Sequence, residues 1–423
     1  MIPRPIRRRT ARLDMPPAPP ADAVPSFWRD LTLAHAANSL VGFLFAASGP
    51  LAIILATATR GGLSEAETAS WVFGSLFLNG IVSILYCLKY RQPLVFFWTI
   101  PGTVLIAPAL AHLSFAEVIG AYVATGVLMA SLGALGLVRR AMAAVPMPIV
   151  MGMVAGVFLQ FGLDWVRAFQ LDLSMAAVMT AAFLLVSAVP ALAARVPPML
   201  VALVAGAAVI YHAGTFAPGL EQTALIAAPQ WQVPAFSWAA MLELVLPLAI
   251  SVLVVQNGQG IAVLTEAGHA PPVDSIALGC AVASIVSAFV GAVSTCLTGP
   301  VNAIISAAGE RRTQYTAGVV VGVLAIVFGL LAPTVTRLML STSPAFIATL
   351  AGLAMLRVLQ SAFTVAFKGG FPLGALVTFL VTVAGIPIFN IGAPFWALIG
   401  GTAVSLLLER ADWRTAGPGD PPR

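Results

Sequence analysis

The chain holds 423 residues, 60% of them hydrophobic and only 9% charged, with a mean hydropathy of +0.98 and a formal net charge of +5. Soluble domains carry about 25% charged residues, so a water-facing globule is excluded and lipid must be the main solvent. The basic residues stand singly or in pairs between apolar runs, which argues against a nucleic-acid surface and for a role in membrane topology.

Residues 1–26 differ in kind. Arg4, Arg7, Arg8 and Arg9 are followed by Pro16, Pro17, Pro19 and Pro20, with no apolar stretch or small-residue cleavage site directly after. A disordered basic cytoplasmic tail is expected there, not a cleaved signal peptide. A crossing helix needs about 20 mostly apolar residues. Apolar segments fall at 31–57, 68–88, 97–111, 115–138, 145–163, 173–194 and 196–213, and again at 238–259, 274–292, 299–309, 313–340, 344–367, 371–387 and 391–409. The expected fold is an all-α polytopic membrane protein of about fourteen segments. Its parts are a first seven-segment repeat (27–213), an outer loop (214–237), a second repeat (238–409) and a cytoplasmic tail (410–423). Segments 97–111 and 299–309 are too short to span, and each follows a strand-like stretch, 94–98 and 293–297.

Charge supports this count. With the N-terminus inside and every segment crossing, 17 of the 21 basic residues fall on the cytoplasmic side, three fall outside (Arg60, Arg167 and Arg337), and Arg357 lies within a segment. Such a bias is the positive-inside rule at work, and it predicts an inner-membrane protein with both termini cytoplasmic. Seven crossings per half invert one half relative to the other. The short segments begin Thr99-Ile100-Pro101 and Thr298-Gly299-Pro300, 199 residues apart. Ser48-Gly49 corresponds to Asn257-Gly258, and Pro148 with Ala155-Gly156 to Pro344 with Ala351-Gly352.

Inverted repeats with interrupted segments at equivalent positions point to a transporter site. A helix that starts in mid-membrane leaves its first N–H groups unpaired, and lipid cannot satisfy them. Thr99 and Thr298 can cap such ends, and a proline suits the first turn. Two positive helix ends facing one another attract an anion without any lysine or arginine. Gln256 and Asn257 end an apolar run and precede Gly258 and Gly260, which permit unwound backbone; their amides hold either a ligand or a neighbouring helix. Asn302 has the same two readings, and Asn38 is the weaker candidate, with interhelical bonding its expected role. Phe96 and Trp98, on one face of the approach strand, can stack on a flat ligand or pack the core. Ile100 and Gly299 complete the backbone lining. Glu243, near the outer end of its segment, is either a proton carrier or an interfacial carboxylate. Arg357 snorkels, pairs or meets substrate. Cys87, Cys280 and Cys296 lack metal-ligand or disulfide spacing, and His35, His112, His212 and His269 are scattered, so neither a metal nor a cofactor is expected.

At these residues the chain resembles the BenE-type benzoate:proton symporters. Arg91-Gln92-Pro93 through Trp98-Thr99-Ile100-Pro101-Gly102 is similar to their Y-R-x-P…W-S-T-P-G stretch. Gln256-Asn257-Gly258-Gln259-Gly260-Ile261 and Ala267-Gly268-His269-Ala270-Pro271-Pro272-Val273 resemble Q-N-x-x-G-I…A-G-Y-x-A-P-V. Leu63 to Trp71, Ala155 to Leu163 and Ala393 to Gly401 continue the likeness, which runs in order from about residue 27 to 409. The resemblance implies the seven-plus-seven fold shared with uracil/xanthine permeases and sulfate/bicarbonate-type carriers. In that fold a core of segments one to four and eight to eleven moves against a gate, usually in a homodimer. It also implies benzoate as substrate and a proton as co-substrate. The family's Ser-Thr-Pro is here Thr99-Ile100-Pro101, and its S-V-G-I-A-A-I-T-A is Cys296 to Ile304. The carboxylates of a uracil-permease-like site, near Gln256 and Gly299, are missing.

The expected function is secondary active transport of a small organic anion, an aromatic carboxylate such as benzoate, with protons. A same-fold carrier of an inorganic anion or nucleobase is the nearest rival. A channel or an intramembrane enzyme is the rival of another class, and no phosphate-binding G-x-x-x-x-G-K-[ST] motif is present to support ATP-driven transport.

Overall fold

Helices occupy the expected apolar segments in order. They are α1 (Leu33–Arg60), α2 (Glu65–Tyr90), α3 (Ile100–Ala109), α4 (Phe115–Ala134), α5 (Met147–Leu171), α6 (Leu173–Ala188) and α7 (Pro198–Ala213). The second half holds α8 (Trp238–Glu266), α9 (Val273–Ala288), α10 (Gly299–Ile305), α11 (Tyr315–Leu330), α12 (Ala332–Leu340), α13 (Pro344–Phe367), α14 (Pro372–Ala384) and α15 (Ala393–Leu408). The structure, a computed structural model, describes residues 27–138, 140, 145–193, 196–214, 224–307, 309–389 and 391–415. The basic tail 1–26, Arg139, Arg195, Glu221 and the end 416–423 lie outside the described residues.

Helix starts follow local chemistry. Ser64 and Ser114 close capping boxes with Glu67 and Glu117, and prolines stand in the first turn of α3, α5, α7, α10 and α12 to α15. Among the described residues seven helical stretches are long and apolar enough to cross a membrane: α1, α2, α4, α5, α8, α13, and α11 together with the helical turn that leads into it (Arg311–Leu330). By contrast, α3 has 10 residues and α10 has seven, about 15 and 10 Å at 1.5 Å per residue, so both are half-helices. The chain is a multi-pass helical membrane protein.

Two departures from expectation are local. The segment 313–340 breaks at Leu331, ahead of Pro333, into α11 and the short α12, whose Arg337 pairs with Glu65 at 2.7 Å. The glycines after Asn257 do not unwind α8, which stays helical throughout and relaxes into π-turns at Met241–Val245 and Ser251–Gln256.

The helices sort into two bundles. In one, α2 packs on α11, α4 on α9, and α1 on α3, α10 and α11; in the other, α5 packs on α13 and α14, α14 on α15, and α6 on α7. The grouping follows the division into core and gate that the resemblance implies, and those words name the two bundles below. They meet where α1 contacts α7 and α13, α3 contacts α5, and residues 241–250 of α8 contact α15.

At the middle of the core, β1 (Phe96–Trp98) and β2 (Thr295–Leu297) form an antiparallel ribbon with Phe96 opposite Leu297, Phe97 opposite Cys296 and Trp98 opposite Thr295. Phe97 and Cys296 are also the pair related by the 199-residue repeat offset, so a pseudo-twofold axis passes between them. The flanking bonds obey it: Thr99 N–H donates to Ser294 O at 2.9 Å, and Thr298 N–H to Val95 O at 3.1 Å. Lipid offers a strand edge no partners, and side chains supply them here. Ser83 Oγ of α2 accepts Phe96 N–H at 2.8 Å, and Ser284 Oγ of α9 accepts the equivalent Thr295 N–H at 2.9 Å. Each serine also donates to the carbonyl four residues before it, Asn79 and Cys280.

Candidate functional site

The ribbon ends deliver the two half-helices. Thr99, in extended backbone, caps α3 by accepting Gly102 N–H at 3.2 Å, and its hydroxyl lies 3.1 Å from Ser251 Oγ of α8. Thr298 begins α10 with similar backbone, but its hydroxyl makes no capping bond. Along α8, Gln259 lies over Gly299, where a Cβ would come within 2.6 Å of its Cγ. Ser251, Val255 and Gln259 recur at four-residue spacing, so one stripe of α8 runs from the start of α3 to the start of α10. Ile100 is half-buried on the first turn of α3.

The two asparagines are committed to the ribbon. Asn257 is 2% exposed; its Oδ1 accepts Leu297 N–H at 2.7 Å and its Nδ2 lies 3.6 Å from Cys280 Sγ. Asn302 is fully buried and spends both amide atoms on Val95, accepting from N–H at 3.0 Å and donating to O at 3.3 Å. Gly260 is required because β2 lies against it: a Cβ there would come 2.8 Å from the Leu297 side chain and 2.9 Å from its carbonyl. Gln256, next to Asn257 in the same helix, is 7% exposed. The aromatic pair is divided. Phe96 is buried edge-on to Tyr86 at 4.9 Å, whereas Trp98 packs with Phe97 at 5.6 Å. Trp98 Nε1–H is buried without a partner among the described residues, a free donor directly before the α3 cap. Asn38 donates to Ile304 O at 3.0 Å, the interhelical bond expected of it.

Beyond the C-terminal end of α3, at the turn that holds His112, a cavity of about 610 Å³ separates core from gate, lined among others by Val104, His112, Gln160, Asp164, Glu243 and Pro394. Glu243 is not a solvated interfacial carboxylate: it is 3% exposed and lies 2.8 Å from His112 Nε2. The gate backbone reaches it too, because a side chain on Gly392 would overlap its carboxylate. At the rim, Arg60 of α1 pairs with Asp164 of α5, joining core to gate, and Arg167 adds a contact to Asp164 at 3.3 Å. Sequence reasoning missed Ser83, Ser284, Ser251, Gln259 and His112. Single serines inside apolar runs were the available signal for the first three; His112 and Glu243 are 131 residues apart and carry no pattern that links them.

A sequence profile described as "BenE: Benzoate membrane transport protein" matches residues 29–407. The chain is 27% identical to the "Benzoate membrane transport protein" of Acinetobacter baylyi over 390 residues, 90% of this chain and 97% of that one. It is 28% identical to the "Inner membrane protein YdcO" of Escherichia coli, over 88% of this chain and 95% of that one. Among solved structures, the transmembrane domain of the cyanobacterial bicarbonate transporter BicA superposes with a TM-score of 0.57 at 16% identity, covering 88% of this chain and 98% of that one. SLC26A9 superposes with a TM-score of 0.61 at 14% identity, over 89% and 65%. These likenesses show the shared fold, and the profile match across nearly the whole length shows that the chain belongs to the BenE family of benzoate membrane transport proteins.

Proposed function

We propose that this protein is a secondary active carrier of a small aromatic carboxylate, with benzoate the first choice, moved together with a proton. The observation that carries the reading is the convergence of two half-helix starts on one stripe of α8, with Trp98 Nε1–H unpaired among the described residues and the Thr298 hydroxyl making no capping bond. The ligand sits between Thr99–Gly102 and Gly299, with Ser251 and Gln259 on the α8 side. Asn257 and Asn302 hold the ribbon behind it. Helix ends contribute about 0.3–2 kcal/mol each to an anion, and neutral hydrogen bonds about 0.5–1.5 kcal/mol, so several must act together.

Coupling runs through Glu243 with His112, a buried carboxylate beside an imidazole at the core–gate boundary. The carrier lies in the inner membrane with both termini cytoplasmic, as the charge bias supports, and works as a homodimer, as the family resemblance implies. A thermal-shift screen of the purified protein against benzoate, nucleobases, bicarbonate and sulfate tests the reading, since a bound ligand adds RT ln(1 + [L]/Kd) of stability. Stabilisation by benzoate is the expected result. The likeness to BicA favours bicarbonate as the second reading, and stabilisation by bicarbonate but not benzoate would establish it.

A further inference from the structure

Arg357 is the fourteenth of the 24 residues of α13, about 15 Å from the Phe367 end at 1.5 Å per residue. It is exposed, donates to Gln360 Oε1 at 3.2 Å, and has no carboxylate within ion-pair distance among the described residues. A guanidinium at that depth is costly against hydrocarbon, and cations so placed mark water-filled paths or substrate.

The direction of this face follows from Ala354. It packs against Gly49 of α1 so closely that a methyl group on Gly49 would overlap it. Residues three and seven positions further along a helix share a face, which places Arg357 and Ser361 on the side of α13 that meets the core. Yet Ser361 is exposed, as are Gln360 and Thr364. The contact with α1 therefore opens into a gap just beyond Ala354, whose gate wall carries Arg357 and Ser361. Depth places this gap beside the half-helices. Gly42 of α1 packs on Val301 and Ile305 of α10, and Gly42 lies about 10 Å along α1 from Gly49. The first residue of α10 then stands about a turn from the Gly49 level, as does Arg357.

We propose that Arg357 is the gate-side binding residue for the carboxylate of the transported anion, facing the half-helix starts across this gap with its guanidinium steadied by Gln360. The proposal rests on the anion-carrier reading above. A guanidinium offers a carboxylate two parallel N–H donors, and from the gate it links anion binding to the approach of the two bundles. An anion lying between them meets donors on both sides, whereas an empty site leaves the guanidinium facing positive helix ends.

Two measurements test it. Ser361→Cys in membranes is treated with a membrane-impermeant thiol reagent; the three native cysteines are buried, so background is low. Rapid modification is expected, and none from either side would place the stripe against lipid and overturn the proposal whatever the substrate. Benzoate binding is then measured for Arg357→Gln and Arg357→Lys in detergent. The glutamine variant should bind at least tenfold more weakly at unchanged melting temperature, with lysine intermediate because it keeps the charge without the fork. Wild-type affinity in Arg357→Gln overturns the Arg357 proposal alone. Failure of the wild type to bind any carboxylate overturns it together with the carrier reading.

Discussion

Asn257→Leu separates a ribbon anchor from a ligand group. Leucine matches asparagine roughly in size but accepts nothing, so Leu297 N–H, now bonded at 2.7 Å inside a buried core, is left without a partner. An orphaned buried donor costs about 1–3 kcal/mol, and the weak Cys280 contact goes with it. At about 2–4 °C per kcal/mol for a cooperative unit of 150–250 residues, the melting temperature should fall by about 2–12 °C. The assay is fluorescence-monitored melting in detergent at one scan rate, with Asn257→Asp as companion, since aspartate keeps the acceptor. A decisive contrary result is Asn257→Leu melting like the wild type while losing benzoate binding tenfold or more. That outcome would make the amide a ligand group and the ribbon indifferent to it.

Ser83→Ala and Ser284→Ala each strip the acceptor from an equivalent ribbon N–H, so each should cost about 1–3 kcal/mol; equal melting of both variants and wild type would contradict the pseudo-twofold bracing. Gly260→Val should fold poorly or lose binding, because its side chain would displace β2, and a wild-type expression level with normal melting would refute the close approach. Glu243→Gln should uncouple uptake from the pH gradient while benzoate still binds; uptake that remains fully gradient-driven in proteoliposomes removes Glu243 from coupling. A cysteine at position 225 should label from the periplasm and one at 140 only from the cytoplasm, and the reverse pattern would invert the topology.

Much of the fold was legible because lipid enforces it. Segment order, the two short helices and their strand-like approaches all appear in hydropathy and in the Thr-x-Pro spacing, since few residue types start a helix in mid-membrane. The site was legible by region and less so by residue. Asn257 and Asn302 were visible as costly amides in apolar runs, but only the register of the ribbon shows that their partners are backbone groups about 40 and 207 residues away. Gln259 follows Asn257 by two positions and points elsewhere on the helix, and nothing local distinguishes it until Gly299 is known to lie beneath it. Glu243 lies near a helix end, where carboxylates are usually solvated; its burial depends on His112 and Gly392, which reach it from distant parts of the chain.

The axis between Phe97 and Cys296 has a consequence for directionality. Each half-helix is the approximate image of the other, so a ligand at the centre meets comparable surroundings whichever aqueous compartment it came from. A centre of that kind does not rectify: net flux follows the electrochemical gradients, and efflux should be as accessible as uptake when those gradients are reversed. Any bias must be written in the places where the mirror fails, such as serine at one half-helix start against glutamine at the other, or the carboxylate–imidazole pair that only the Glu243 end of α8 possesses.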